Sequence, residues 1–281
     1  MRKWKLIYEM HDEFSTAVSG HYFSLRCFPK EMVSQKIKSF SCSIHPGSVS
    51  SRGRDSFSNF LLTGCCMQPH DQFYVKVESL VAKKNIAEPE IKELHCLGMF
   101  RQPTRLTSMG DSLNAFYDTL MPGNGEDSWT RARWLMECLS RSFSYQSGST
   151  NVNTTAEEAF FQGCGVCQDY AHVLLSLCRK EQMTARYVAG AVPGEGQTHA
   201  WIEVLKDGKW KGFDPTNNRE TDDSYISFAV GRDAADCGLN RGIFLGNAGQ
   251  RQFVNVKMEE ESFDRDNCIC INAGSGKTGN P

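Results

Sequence analysis

The residues of this chain best suited to chemistry lie between 163 and 172, in the sequence GCGVCQDYAH. Two glycines precede Cys167, and apolar side chains follow it at helical spacing as far as Cys178. This pattern predicts that Cys167 lies at or near the N-terminus of an amphipathic helix. Unpaired N–H groups and the positive end of the helix dipole favour a thiolate at that position, and the thiolate is the form of cysteine that attacks a carbonyl.

Two stretches within the next fifty residues carry groups that could assist such a nucleophile. Residues 198–204, THAWIEV, alternate like a half-buried strand, and His199 stands at their beginning. Residues 209–217, KWKGFDPTN, form a second candidate strand that ends at Asp214. The Asp-Gly pair between them is typical of a hairpin turn, which would set the two strands side by side. The chain therefore offers a nucleophile, a base and a group that orients the base: Cys167, His199 and Asp214.

Three blocks, GVCQDYAH, HAWIEV and FDPTN, resemble the catalytic blocks of the transglutaminase-like superfamily. The resemblance implies a papain-like core with a Cys-His-Asp triad, as in the bacterial cysteine proteases and transglutaminases of that family. It continues into residues 231–233 and 241–244, and more weakly into the N-terminal part, which is similar to a β-rich domain that often precedes the core. Residues 182–184, Gln-Met-Thr, replace a Gly-Ile-Pro type of turn, a departure that affects a connector and not the triad.

The cysteine block has two other interpretations. Cys164 and Cys167 have the Cys-x-x-Cys spacing of thioredoxin-like redox sites, but a redox site leaves His199 and Asp214 without a role. A zinc site built from Cys164, Cys167 and His172 lacks a second well-spaced pair of ligands. We therefore predict no metal and no cofactor.

The neighbours of the triad are less informative. The backbone N–H of Cys167 is the best candidate for one oxyanion donor, and the sequence does not identify a second. Trp201 shares a strand face with His199 and would either wall the site or belong to the core. Asp169 and His172 are interpreted as structural residues.

The amino-acid composition argues against several classes of protein, namely nucleic-acid-binding, membrane-spanning and secreted proteins. The chain has 281 residues, of which 40% are hydrophobic and 23% charged, with a net charge of −2. Such a charge gives no indication of a nucleic-acid or membrane partner, and no apolar run reaches the ~20 residues of a membrane span. The first nine residues lack the apolar core of a signal peptide. We expect a cytoplasmic protein whose 12 cysteines are reduced.

The pattern of elements divides the chain into three parts. Residues 1–108 predict a β-rich N-terminal domain, residues 109–270 the transglutaminase-like catalytic domain, and residues 271–281 a flexible tail. The pattern of elements predicts an α+β fold class. The resemblance implies that it consists of a papain-like core of helices and antiparallel sheet, preceded by a β-rich domain. The Gly-Lys-Thr of the tail lacks both the first glycine and the following helix of a phosphate-binding loop.

Individual elements follow from periodicity and punctuation. The candidate strands of the first part are residues 4–9, 19–28, 35–44, 56–64, 72–81 and 93–100. The second part shows helices at 112–119, 128–142 and 156–161, the Cys167 helix, strands at 185–191, 225–230, 244–247 and 251–258, and a polar loop at 193–197. Asp127 is expected to cap the second helix, and Thr155 with Glu158 the third.

Together these observations predict a cysteine-dependent acyl-transfer enzyme that acts on peptide or amide bonds through a thioester. Hydrolysis is favoured because the glycine-rich loop before His199 suits an open cleft. The alternatives are transamidation of glutamine side chains, a Cys-x-x-Cys redox protein, and a binding module that keeps the fold without the activity. The expected partner is a peptide or protein substrate, and the sequence carries no indication of the oligomeric state.

Overall fold

A computed structural model describes residues 1–84, 94–121, 123 and 125–261. The predicted flexible tail at 271–281 lies outside the described residues. Within the described part of the chain, no helix has the length and apolar character needed to cross a membrane.

The larger sheet is built around its first strand, β1 (Arg2–Leu25). Leu6, Tyr8 and Met10 are buried at alternate positions, as expected for a strand with one face on a core. The strands that follow are β2 (Gln35–His45), β3 (Ser48–Arg54), β4 (Phe60–Cys66) and β5 (His70–Lys83). A register shift between Glu13 and Val18 divides β1, so its first half pairs with β5 and its second half with β4.

The strand predicted at 93–100 is wrong. The described part of this segment, Leu94–Arg101, is a 3-10 helix, and a second 3-10 turn follows at Arg105–Thr107. Phe100 packs its ring against Phe57 and Trp210. Phe100 is thus a buried aromatic residue in a connecting segment. Its apolar side chain is part of the pattern that led to the prediction of a strand.

Four helices and two short strands come next along the chain. They are α1 (Asp111–Thr119), α2 (Ser128–Ser142), β6 (Ser144–Tyr145), α3 (Ala156–Gln162), β7 (Cys164–Gly165) and α4 (Cys167–Lys180). Both predicted caps are confirmed, since Asp127 accepts hydrogen bonds from the first turn of α2 and Thr155 and Glu158 form a capping box on α3. Helix α4 is buried continuously from Asp169 to Arg179, so it is the central helix of the molecule.

The second sheet carries the hairpin that the sequence predicted. Its region contains β8 (Ala185–Ala191), β9 (Gly194–Gly196), β10 (His199–Lys206), β11 (Lys209–Asp214), β12 (Arg219–Glu220) and β13 (Ile226–Gly231). Five of these strands form an antiparallel sheet in the order β12-β11-β10-β8-β13, and α4 packs on β8 and β10. The hairpin turn places Asp207 and Gly208 at φ values of 48° and 72°, the geometry for which an Asp-Gly pair is suited.

The last two strands return to the first. β14 (Asn240–Leu245) pairs with the second half of β1, and β15 (Gln250–Glu260) pairs with residues 4–14 of its first half. The segment predicted as a polar loop contains β9, which pairs with β15. Residues 240–260, placed by the sequence in the catalytic domain, thus lie in the larger sheet, and the boundary at residue 108 stays a prediction.

Two main apolar cores support this arrangement. One lies between the helices and the five-stranded sheet, and the other is formed chiefly by the larger sheet. The predicted fold class, α+β with a β-rich N-terminal region, is confirmed.

Candidate active site

Cys167 is the first residue of α4, as the sequence predicted. The turn before it is tight, because a Cβ at Gly165 would lie 2.6 Å from the side chain of Asp169. The Asp169 carboxylate accepts hydrogen bonds from the Val166 N–H at 2.8 Å and from the Thr150 hydroxyl at 2.6 Å. Asp169 therefore fixes the turn that presents the cysteine, in agreement with its interpretation as a structural residue.

The thiol of Cys167 faces the start of β10. Its Sγ lies 4.0 Å from the carbonyl oxygen of Thr198, the residue before His199, and Cys167 is close enough to His199 to help raise the pKa of that ring. The Cys167 side chain is half-buried, so a substrate has access to it. The first N–H groups of a helix have no acceptor within the helix, and the Cys167 N–H stands at this position.

His199 is held from its other side by Asp214. Nε2 of His199 lies 2.8 Å from Oδ2 of Asp214, whose side chain is fully buried. The same carboxylate oxygen accepts hydrogen bonds from the Asn217 amide at 2.7 Å and the Tyr225 hydroxyl at 2.8 Å. Burial by itself would raise the pKa of Asp214, but the hydrogen bonds from His199, Asn217 and Tyr225 hold that pKa below its usual value. Asp214 is therefore a carboxylate in a site without solvent access.

The charge of His199 follows from the same contacts. Burial alone would lower the pKa of His199, but hydrogen bonds to Asp214 and Cys167, together with their charges, raise that pKa to about 10. The ring is thus an imidazolium at neutral pH. Because Nε2 faces Asp214, the Nδ1 edge is the one available to the thiol. The arrangement is that of a cysteine beside an imidazolium that a buried carboxylate orients.

Two residues, Asn217 and Tyr225, donate side-chain hydrogen bonds to Asp214 and were not predicted from the sequence. Asn217 stands three residues after Asp214, and its place in the block DPTN was a signal that could have identified it. Tyr225 has no such local signal, because its hydrogen bond to Asp214 comes from the start of β13. Trp201 packs edge-on against Tyr225 with ring centroids 5.3 Å apart and is 1% exposed. It belongs to a small buried cluster directly beneath His199.

Tyr145 is a third residue that the sequence did not single out. Strand β6 pairs in parallel with β7, which places Tyr145 opposite Gly165, two residues before Cys167. Its side chain is 59% exposed. Partial burial and the nearby charge of Cys167 raise the pKa of Tyr145 above its usual value. A protonated phenol therefore stands beside the thiol.

The groups of the zinc interpretation do not converge. Nε2 of His172 accepts a hydrogen bond from the Ala234 N–H at 3.1 Å, so this ring faces the loop after β13. Among the residues that the structure describes, no three His, Cys, Asp or Glu side chains are arranged to hold a metal ion. Cys164 and Cys167 are both free thiols.

Comparisons with known proteins cover both parts of the chain. Residues 116–215 match the family described as the transglutaminase-like superfamily, a range that includes Cys167, His199 and Asp214. Residues 5–82 match the bacterial transglutaminase-like N-terminal region.

Several mycobacterial proteins, all uncharacterized, are similar to this chain. One from Mycobacterium leprae is 38% identical over 137 residues, which cover 45% of this chain and 47% of the relative, about half its length. Another from Mycobacterium bovis is 27% identical over 300 residues, with 94% of both chains covered.

A solved structure shares the fold. It is described as "a Putative Cysteine Protease from Cytophaga hutchinsonii", and it superimposes with a TM-score of 0.76 at 21% identity, covering 94% of this chain and 92% of that one. The similarity extends over both sheets and the helices.

Proposed function

We propose that this chain, which belongs to the transglutaminase-like superfamily, is a cysteine-dependent acyl-transfer enzyme that hydrolyses peptide or amide bonds. The observation that carries the proposal is that Cys167, at the start of α4, faces the start of β10, where His199 lies 2.8 Å from the buried carboxylate of Asp214. The proposed substrate is a peptide or protein.

In the first half of the reaction, the Cys167 thiolate attacks the carbonyl carbon of the substrate. The C–N bond then breaks as the His199 imidazolium donates its Nδ1 proton to the leaving amine, and a thioester remains on Sγ. Asp214 does not exchange a proton with substrate; its carboxylate holds the ring orientation and stabilises the imidazolium.

Two donors are suited to the negative charge that develops on the substrate oxygen. One is the backbone N–H of Cys167 at the start of α4, where the helix dipole adds to the effect. We assign the other to the hydroxyl of Tyr145, which is protonated, exposed and close to the thiol.

In the second half, water attacks the thioester carbonyl and His199 takes up the proton from that water. The C–S bond then breaks, which releases the carboxylic acid and restores Cys167. Selective transfer to an amine requires a site that holds the amine and excludes water. Two features support hydrolysis instead. Residues 194–196, which precede His199, are all exposed. The Glu203 carboxylate, a candidate for amine selection, is 2.6 Å from Arg186 and so is already paired.

The test is product analysis in ¹⁸O-labelled water. The enzyme is offered a casein digest, and then a glutamine peptide with a primary amine at millimolar concentration. We expect ¹⁸O in the new carboxyl groups and mostly free acid in the second reaction. Cys167→Ala should abolish both products, whereas Cys138→Ala, on α2, should leave them unchanged. If the amine adduct is the main product and its formation depends on Cys167, the hydrolase proposal is wrong and the enzyme is a transamidase.

The redox interpretation makes a separate prediction for Cys164. If the working state were a Cys164–Cys167 disulfide, Cys164→Ser would abolish activity as completely as Cys167→Ala. In the proposed mechanism Cys164 has no role in either half-reaction, so Cys164→Ser should keep most of the hydrolysis.

A further inference from the structure

Strand β9 (Gly194–Gly196) stands at the end of the larger sheet, whose order is β2-β5-β1-β15-β9. One edge of β9 pairs with residues 256–258 of β15. Within the described part of the chain, no strand pairs with its other edge. All three residues are exposed, so the main chain along this edge is open to solvent. An open strand edge is a template on which another extended chain can pair.

The glycine at position 196 is not required by the fold. A Cβ on Gly196 would meet nothing within 4 Å, and its φ is not positive. Larger residues would therefore fit without strain, in contrast to Gly190 on β8, where a Cβ would lie 2.1 Å from a carbonyl oxygen. Because residue 196 has no side chain, nothing at this position competes with the side chains of a strand paired on the free edge.

This open edge leads directly to the candidate active site. Gly196 precedes Thr198 by two residues, and the carbonyl of Thr198 contacts the Sγ of Cys167. An extended chain advances about 3.3 Å per residue, so the edge is roughly two to four residues of an extended peptide away from the thiol. A peptide whose carbonyl lies at Cys167 could reach β9 without leaving the extended conformation.

We propose that the substrate binds as an added strand on the free edge of β9, antiparallel or parallel to it, with its scissile carbonyl at Cys167. This proposal rests on the proposed function and specifies its substrate class. Main-chain hydrogen bonds supply the binding, so the substrate is an extended or unfolded protein segment that is selected mainly by its backbone. A folded helix or a lone side-chain amide cannot make these contacts.

The first test removes single main-chain donors from the substrate. A fluorogenic decapeptide is built on a site that the enzyme cleaves in casein, and each residue within four of the scissile bond is N-methylated in turn. Alternate residues of a strand present their N–H groups to the same neighbour. We expect kcat/KM to fall at least tenfold at alternate positions on one side of the bond, two to four residues away. A flat profile, or losses only at the scissile amide, would overturn the binding mode.

The second test uses matched glycine variants. Gly196→Leu places a side chain on the strand along which the substrate lies, and Gly53→Leu places the same side chain on exposed strand β3, where a Cβ also meets nothing within 4 Å. We expect Gly196→Leu to raise KM for the decapeptide severalfold, to leave alkylation of Cys167 by iodoacetamide unchanged, and to keep the melting temperature. The Gly53→Leu variant should match the parent protein.

The two proposals fail in different ways. If the parent protein cleaves the decapeptide but neither the N-methyl scan nor Gly196→Leu has an effect, the strand mode is wrong and the hydrolase stands. If no peptide is cleaved and no acyl group is found on Cys167, the proposed function is wrong and the binding mode falls with it.

Discussion

His199 is the first residue of β10 and Asp214 is the last residue of β11, and their side chains meet at 2.8 Å. The antiparallel hairpin brings the beginning of one strand and the end of the next to the same end of the sheet. The pair is therefore fixed by a single turn at residues 207–208. Orientation of the imidazole depends on main-chain geometry and not only on the carboxylate.

Alkylation should identify the nucleophile. A neighbouring cation and a helix N-terminus both make a cysteine more reactive, so iodoacetamide at pH 6 should label Cys167 before any other cysteine. Burial raises the pKa of Cys178 to about 12, so that thiol should stay unlabelled in the folded protein. His199→Gln should slow labelling of Cys167 at least tenfold. Peptide mapping by mass spectrometry gives the order, and earlier labelling of Cys164 would contradict the assignment.

The pH profile should report His199. The imidazolium must be present to protonate the leaving amine, and its pKa is about 10, so kcat/KM should fall only as the pH rises through about 10. Asp214→Asn removes the contact that raises this pKa. The alkaline limb should then move down toward the ordinary value of ~6.5, and kcat should fall on the order of 10⁴-fold. Asp118→Asn, an exposed acid on α1, is the control; an unmoved limb in Asp214→Asn would refute the coupling.

Removal of the Tyr145 hydroxyl should lower the stabilisation of the transition state more than the affinity for the substrate. If the phenol donates to the oxyanion, Tyr145→Phe should lower kcat by about 10²-fold with little change in KM. Tyr22→Phe, an exposed tyrosine on β1, should behave as the parent protein. Steady-state kinetics on the decapeptide decides the matter. A rise in KM at constant kcat would instead make Tyr145 a substrate contact.

His172 should make the fold sensitive to acid. Burial lowers the pKa of His172 to about 4, partly opposed by the charge of Asp233 and assisted by Arg179. The unfolded chain therefore binds a proton between pH 6.5 and 4 that the folded chain does not. This contribution to stability is complete above pH 6.5 and is lost as the pH falls toward 4, by up to about 3 kcal/mol.

Urea unfolding at pH 7.5 and pH 5 measures that loss. In His172→Gln, whose amide oxygen can still accept from the Ala234 N–H, the difference between the two pH values should shrink. The Cys138→Ala variant keeps His172 and the contacts of His199, and it should show the full difference. Equal pH dependence in His172→Gln and Cys138→Ala would assign the acid sensitivity to other groups.

Structural features that depend on neighbouring residues could be predicted from the sequence. The N-terminus of α4, the Asp-Gly hairpin and the caps at Asp127 and Thr155 each depend on residues a few positions apart, and all are found in the structure. The three blocks predicted Cys167, His199 and Asp214 as the triad because each block surrounds one of these residues. Their catalytic roles remain a proposal for the experiments above.

Contacts between segments that are distant in the sequence could not be predicted from such local patterns. The Tyr225 hydroxyl reaches Asp214 from the residue before β13, and Tyr145 approaches Cys167 through a two-residue parallel pairing. Strand β9 has the sequence Gly-Glu-Gly, which carries no hydrophobic alternation, so it was predicted as a loop. The pairing of β14 and β15 with β1 joins residues more than 200 positions apart, so no short stretch of sequence indicates these partners or their register.

The pairing of β15 with β1 also sets a time order during synthesis. Arg2 and Glu260 form an ion pair although they are 258 positions apart, and a ribosome adding about 5–20 residues per second needs on the order of ten to fifty seconds to make that stretch. Throughout this interval Cys167, His199 and Asp214 emerge before β15, the strand to which β9 is joined. The edge proposed to receive extended chains is therefore assembled last. If substrates bind on this edge, a nascent chain lacks the binding site for extended segments until translation has passed residue 260.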